Sequence, residues 1–316
     1  MNKIRIDCHN DTVLNLREKK SLRFLPDAHC DYIRLQKELG LAFFALFIHP
    51  HHFGDRQTEE ILRLLALLLA DIKANEDFVY PVFWHQDLQK LQTEVKARTA
   101  VLIGAEGGGF LGVSPEILQY FFTLGFRFLG LTWNFRNNLA DGCEEDGGLT
   151  KMGKTVVREC NRLGILVDAA HLNHKGFWQL LEQSDDPIIV SHTACETLNL
   201  HPRNLSDEQL AAIGDQGGVV GISYAGMFLG GQEPTLQDVA DHIEYAVGIA
   251  GIDHVALGSD FDGATLVKDM NGVQDLPNLY AILSQRGFSD LDIDRISGEN
   301  IFRVLQEVLP YRRDNI

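Results

Sequence analysis

No two of the five cysteines in this 316-residue chain fall in a CxxC spacing. Cys8, Cys30, Cys143, Cys160 and Cys195 are odd in number and widely separated. That excludes a disulfide framework and fits reduced thiols in a cytoplasm. Basic runs are equally scarce. Residues 17–23 and Tyr311-Arg312-Arg313 are short and broken, and the net charge is −16. A nucleic-acid partner is therefore not expected. No apolar run approaches the ~20 residues that cross a bilayer. The most apolar stretch, residues 61–70, carries Arg63 and reads as a buried helix, so no membrane partner is expected. The first seven residues are too charged for a secretory leader, and the expected location is cytoplasmic. No Gly-x-Ser-x-Gly, Walker A or Gly-x-Gly-x-x-Gly motif follows an apolar run, which leaves a serine hydrolase or nucleotide enzyme without support.

What the chain does have is apolar content, 45% of residues, enough for a core of its own. Short apolar segments begin near residues 4, 41, 99, 126, 165, 187, 218 and 254. Residues 41–48, Leu-Ala-Phe-Phe-Ala-Leu-Phe-Ile, are apolar throughout, as a strand buried on both faces should be. Helix-length segments separate most of these strands. Ser114 is expected to cap a helix over 114–124, Gly164 to close one over 151–163, and Ser206 to open one with a capping box. Closing helices are expected over 275–285 and 289–308. The region 50–87 is expected to add an element of its own. Strands alternating with helices mean a parallel sheet, and eight repeats indicate an α/β fold of the (β/α)8 TIM barrel type. The runner-up is an open doubly wound sheet. Residues 1–316 read as a single catalytic barrel domain with closing helices at its C-terminal end.

The polar candidates stand at strand ends. His9 and Asp11 follow strand one, Glu106 strand three, Trp133 and Asn134 strand four, His171 strand five, His192 strand six, Tyr224 strand seven and Asp260 strand eight. In a barrel these ends share the rim where active sites are built. Singly, Glu106 reads as a turn carboxylate and each histidine as a satisfied core residue. Jointly, three histidines and three carboxylates have the composition of a two-metal hydrolase. His9 and Asp11, two apart on a strand, share a face and would hold one ion. His171 and His192 would hold the other. Glu106 has an oxygen for each ion, and the glycines after it are expected to leave room for ions and substrate. A water between the metals would then attack a carbonyl, with Asp260 as proton acceptor and donor or as a further ligand. Arg203 follows the strand-six histidine and is suited to a two-pronged grip on a substrate carboxylate. Cys8 is expected to point away from the barrel interior, opposite His9. His49, His51 and His52 read as a wet loop or pocket wall.

These residues together resemble the membrane dipeptidase (renal dipeptidase) family of zinc peptidases, amidohydrolase-like barrels. The likeness is carried by Asp7-Cys8-His9-Asn10-Asp11-Thr12, Gly104-Ala105-Glu106-Gly107-Gly108, Leu131-Thr132-Trp133-Asn134, the run from Asn161 to Asp168 leading to His171, Val190-Ser191-His192, Pro202-Arg203-Asn204 and Gly258-Ser259-Asp260-Phe261-Asp262-Gly263. It implies two Zn2+ per chain, bridged by Glu106 and a water or hydroxide, with His9 and Asp11 on one ion and His171 and His192 on the other. It also implies Asp260 as acid/base, and Arg203 on the terminal carboxylate of a dipeptide, with tolerance for a D-residue at the C-terminal position. Trp133, Asn134 and Tyr224 are further candidates for contacting substrate. The chain departs from the family at Trp133, where many members carry a histidine. Indole has an N–H donor but no basic nitrogen. The signal sequence, lipid-anchor tail and paired cysteines of animal members are also missing, which implies a soluble bacterial-type enzyme. A second reading is another metal-dependent hydrolase on the same barrel, acting on lactams, other amides, N-acyl amino acids or phosphoesters. A third is a non-catalytic binding barrel. A homodimer is an expectation for which the sequence marks no interface.

Overall fold

The computed structural model describes residues 3–18, 20–93, 98–112 and 114–312. Arg313, at the end of the second short basic run, lies outside the described residues, as do Met1, Asn2 and Lys19. Among the described residues, nine strands form one parallel sheet. They are β1 Ile6–Asn10, β2 Leu41–Phe47, β3 Val79–Pro81, β4 Thr99–Glu106, β5 Phe126–Gly130, β6 Leu166–Asp168, β7 Ile189–Thr193, β8 Val219–Ile222 and β9 Val255–Leu257. Eight of them follow the order β1-β2-β4-β5-β6-β7-β8-β9. The ring closes where Asn10 bridges Phe261 in parallel and Asp11 N donates to Phe261 O at 2.8 Å. This is the expected (β/α)8 barrel.

The extra strand comes from the region read as an insertion. β3 pairs with β4 at Thr99–Val101, below the point where β5 joins at Ile103. Alternation sorts the side chains of each strand into two clusters. On β2, Ala42, Phe44 and Leu46 pack outward against the surrounding helices. Leu41, Phe43 and Ala45 fill the barrel interior with Phe128, Leu166 and Ile189. Helix Asn300–Val308 adds Ile301 and Leu305 to the interior cluster and plugs the N-terminal end of the ring.

Helix Lys151–Leu163 has the expected bounds, and Ser206 makes its full capping box. Two helices differ. The one expected from Ser114 starts at Ile117, because Ser114 Oγ bonds the Glu116 carboxylate instead of a backbone N–H. The last is interrupted by a wide turn at Arg295–Glu299, where Gly298 packs so closely on Ile4 O that a Cβ would collide with it.

A third difference bears on the site. Between Asp7 and Asn10, β1 carries one residue more than its partner strand, a β-bulge. Cys8 therefore does not point out of the barrel. It joins the interior cluster with Phe43 and Phe128, while the His9 ring lies against His192 at 3.8 Å between centroids. The bulge breaks the period of two on which the opposite expectation rested.

Candidate metal centre at the barrel rim

Interior parity continues from the hydrophobic filling of the barrel to its C-terminal rim. On β4, Leu102, Gly104 and Glu106 share the inward face, and beyond β9 Asp260 follows Ala256. The rim collects five of the expected ligands into two overlapping groups. One is His9, Asp11 and Glu106; the other is Glu106, His171 and His192. In each group the ligand atoms lie within 4.8 Å of one another.

Glu106 belongs to both. Its Oε2 faces His9 Nε2 at 3.9 Å. Its Oε1 touches His171 Nε2 and stands 3.7 Å from His192 Nε2. His9 Nε2 is 3.5 Å from Asp11 Oδ2. All five residues are buried.

Polar atoms in this cluster either lack a hydrogen bond or crowd against one another. His9 Nε2 and Asp11 Oδ1 are buried with no hydrogen bond. His171 Nε2 and His192 Nε2 face each other at 3.0 Å. Buried polar atoms left in this state are costly unless a cation or proton lies among them. A set of imidazole nitrogens and carboxylate oxygens suits divalent ions, so the residues present fit the metals implied above.

Electrostatics agree. Burial opposes charge on His9, yet the neighbouring carboxylates of Asp11, Glu106 and Asp260 raise its pKa to about 10. The carboxylates thus hold a proton where no metal is present. Burial, with Arg203 nearby, pushes His171 down to about 4. Burial, His9 and Arg203 push His192 well below the usual range. Both are neutral imidazoles with a lone pair to give.

Local backbone is shaped to this end. His171 and Asp260 have φ of 69° and 61°, in the left-handed region that side chains other than glycine seldom adopt. Asp262, at φ 63°, is held by Thr12 Oγ1 at 2.5 Å and by His29 N at 2.7 Å. The glycine that clears space for the ligands is Gly263. A Cβ there would collide with Asp11 Oδ2 and Asp260 Oδ1. The glycines after Glu106, expected to do this, face elsewhere. A Cβ on Gly108 would meet Leu139, and one on Gly109 would meet Gln57.

The remaining candidates divide. Asp260 is buried at the rim, where burial first and Glu106 further raise its pKa against the pull of His9. Arg203 is buried with Nη2 3.1 Å from His192 Nε2 and with Nε unpaired. A cleft of about 390 Å³ opens beside His171 and Arg203. Trp133 borders His171 at 6.2 Å and packs on Phe47 and His49. The histidines of residues 49–52 form part of this aromatic wall. Asn134 is committed to a ligand, since its Oδ1 meets His171 Nδ1 at 2.6 Å. That contact leaves Nε2 free to bind a metal. The structure does not bring Tyr224 to the cluster. It shares the outward parity of Val220 and Ile222 and is buried against Phe261.

Asp168 and Ser191 also belong to this region. They lie within the quoted motifs, three residues before His171 and one before His192, and both are buried, Ser191 against His192 and His9.

The sequence profile of the membrane dipeptidase family, peptidase family M19, matches residues 1–315. The chain belongs to this family. As a family M19 member it is a metal-dependent dipeptidase, a hydrolase. Among its relatives, Dipeptidase verJ of Clonostachys rogersoniana is 31% identical over 96% of this chain and 84% of its own length. A solved metallopeptidase from Rhodobacter sphaeroides, liganded with a phosphinate mimic of the dipeptide L-Ala-D-Ala, superposes with a TM-score of 0.90. It is 27% identical, and the match covers 97% of this chain and 100% of that one. The M19 dipeptidase AC gives the same TM-score and identity, over 98% of this chain and 99% of its own.

Proposed function

We propose that this M19 dipeptidase is a binuclear zinc enzyme that cleaves dipeptides carrying an L- or a D-residue at the C-terminal position. The observation that carries the reading is Glu106, whose two oxygens face different histidine sets, His9 on one side and His171 with His192 on the other. A carboxylate so placed can serve two ions at once. His9 and Asp11 would hold the first, His171 and His192 the second. When bound, the pair supplies an activated water and a Lewis acid at the scissile carbonyl.

The chain's own groups do the rest. Arg203, with an unpaired buried Nε beside the cleft, receives the terminal carboxylate of the dipeptide. Asp260 takes the proton of the attacking water and passes it to the leaving amine. Its raised pKa brings it nearer the working pH, as a group with that double duty requires. Trp133 offers an N–H and a flat apolar wall in place of a basic nitrogen. The D-residue in the ligand of the Rhodobacter sphaeroides relative supports the stereochemical part of the reading.

The test is hydrolysis of a dipeptide panel including L-Ala-L-Ala and L-Ala-D-Ala by zinc-reconstituted protein, against a chelated control. Chelator-sensitive cleavage is expected, with KM raised at least about tenfold in Arg203→Met, the loss of a charge-assisted contact. Glu106→Ala should lose both ions. Unchanged KM in the first variant would remove the carboxylate clamp. Two ions retained in the second would remove the bridge. No cleavage with two ions bound would turn the search to lactams and N-acyl amino acids.

A further inference from the structure

Beneath the two histidine sets lies one hydroxyl. Ser191 Oγ is 2.5 Å from Asp168 Oδ2, 2.8 Å from His192 Nδ1 and 3.5 Å from His9 Nδ1. All four residues are buried. Asp168 Oδ1 is already occupied by the backbone N–H groups of Ala170 and Ser191, each at 2.9 Å. A serine hydroxyl has one hydrogen and two lone pairs. A carboxylate accepts only, so the hydrogen goes to Asp168 and the lone pairs face the imidazoles. With metal bound, each imidazole must then carry its one proton on Nδ1 and present Nε2 toward Glu106 and the metal positions.

We propose that Asp168 and Ser191 are positioning residues that fix the tautomer of one ligand on each ion, so that a single hydroxyl couples the two metal positions. The inference rests on the ligand assignment proposed above.

The arrangement makes a distinctive prediction for Asp168→Asn, which keeps the volume. Because two backbone N–H groups point at the Oδ1 position, the amide oxygen must sit there and the NH2 must face Ser191. The NH2 donates to Oγ and turns the hydroxyl hydrogen toward His192 Nδ1. The imidazole proton is driven to Nε2, where it opposes the metal. Ser191→Ala removes the constraint without reversing it. The near-isosteric Asp168→Asn should therefore do more harm than the truncation. A purely structural role for the pair would give the opposite order, or no order.

The experiment uses the zinc-loaded full chain and two readouts. The first is zinc loss to a chromogenic chelator. Relative to wild type, Asp168→Asn should bind both ions more weakly by about 10- to 100-fold, the usual cost of losing such a partner, with Ser191→Ala between them. The second is nitrogen NMR of histidine-labelled wild-type protein, in which His9 and His192 should both carry the proton on Nδ1. An Nε2 proton on either histidine overturns the proposal even where a variant fails to fold. Wild-type affinity in Asp168→Asn overturns it as well. Weakening of one ion alone overturns the coupling. Failure of the ligand assignment itself would look different: His192→Ala would keep both ions in an otherwise wild-type chain.

Discussion

Gly263 shows how narrowly this site is fitted. It is the residue on which Asp11 and Asp260 close in, and the smallest side chain would push into both carboxylates. Gly263→Ala should keep the far-UV circular dichroism of the wild type while kcat/KM falls at least about 100-fold, since misplacement by ~1 Å costs that much. Metal content should fall below two per chain. Normal activity would mean that the loop yields and that the clearance is unimportant. His9 makes a second prediction at this scale. With its pKa raised to about 10, it holds a proton in metal-free protein throughout neutral pH. Metal must displace that proton, so zinc affinity should rise with pH below that value. The expected slope is about tenfold per pH unit for one displaced proton. Calorimetric titration in two buffers of different ionisation enthalpy at pH 7.5 should show about one proton released per chain. No release would place the proton elsewhere.

At the scale of elements, local chemistry was legible where the backbone signal is strong. Ser206, Gly164 and the uniformly apolar β2 all took the form their residues dictate. Ser206→Ala should cost about 1 kcal/mol through the lost cap, seen as a lower denaturation midpoint with zinc content and kcat unchanged. A loss of zinc would tie this helix start to the site. What the sequence hid has a common cause. A parallel barrel buries both faces of each strand, so hydrophobic alternation does not mark the inward face. Tyr224, which by its place after β8 belongs among the rim candidates, therefore turns out to share the outward parity of Ile222. The β1 bulge has no residue signature at all and reversed Cys8. The five candidate ligands were legible as a cluster because histidine and carboxylate are conspicuous after apolar strands. Asp168 and Ser191 were not, because only folding brings the hydroxyl under both rings. Nor does sequence mark the bond that Asn134 Oδ1 makes with His171 Nδ1.

For the molecule as a whole, the two ends of the barrel have separate duties, as is general for this architecture. The rim holds the polar cluster, and helix Asn300–Val308 seals the far end with apolar side chains. Leu305 is fully buried there. Leu305→Ala should cost about 2–5 kcal/mol of stability, while the folded fraction keeps wild-type KM and two ions. A change in KM would show that packing at the base reaches the rim.

The ring is also closed by its own beginning and end. Ser259 Oγ donates to His9 O across 250 residues of sequence, and Asp260 N donates to the same oxygen at 3.1 Å. During synthesis, His9 and Asp11 emerge early and wait for this closure. At ~5–20 residues per second the wait lasts roughly 12–50 s. A nascent chain therefore has its last ligand candidate, His192, while β8 and β9 are still to be made, and Asp260 arrives only with the residues that close the ring.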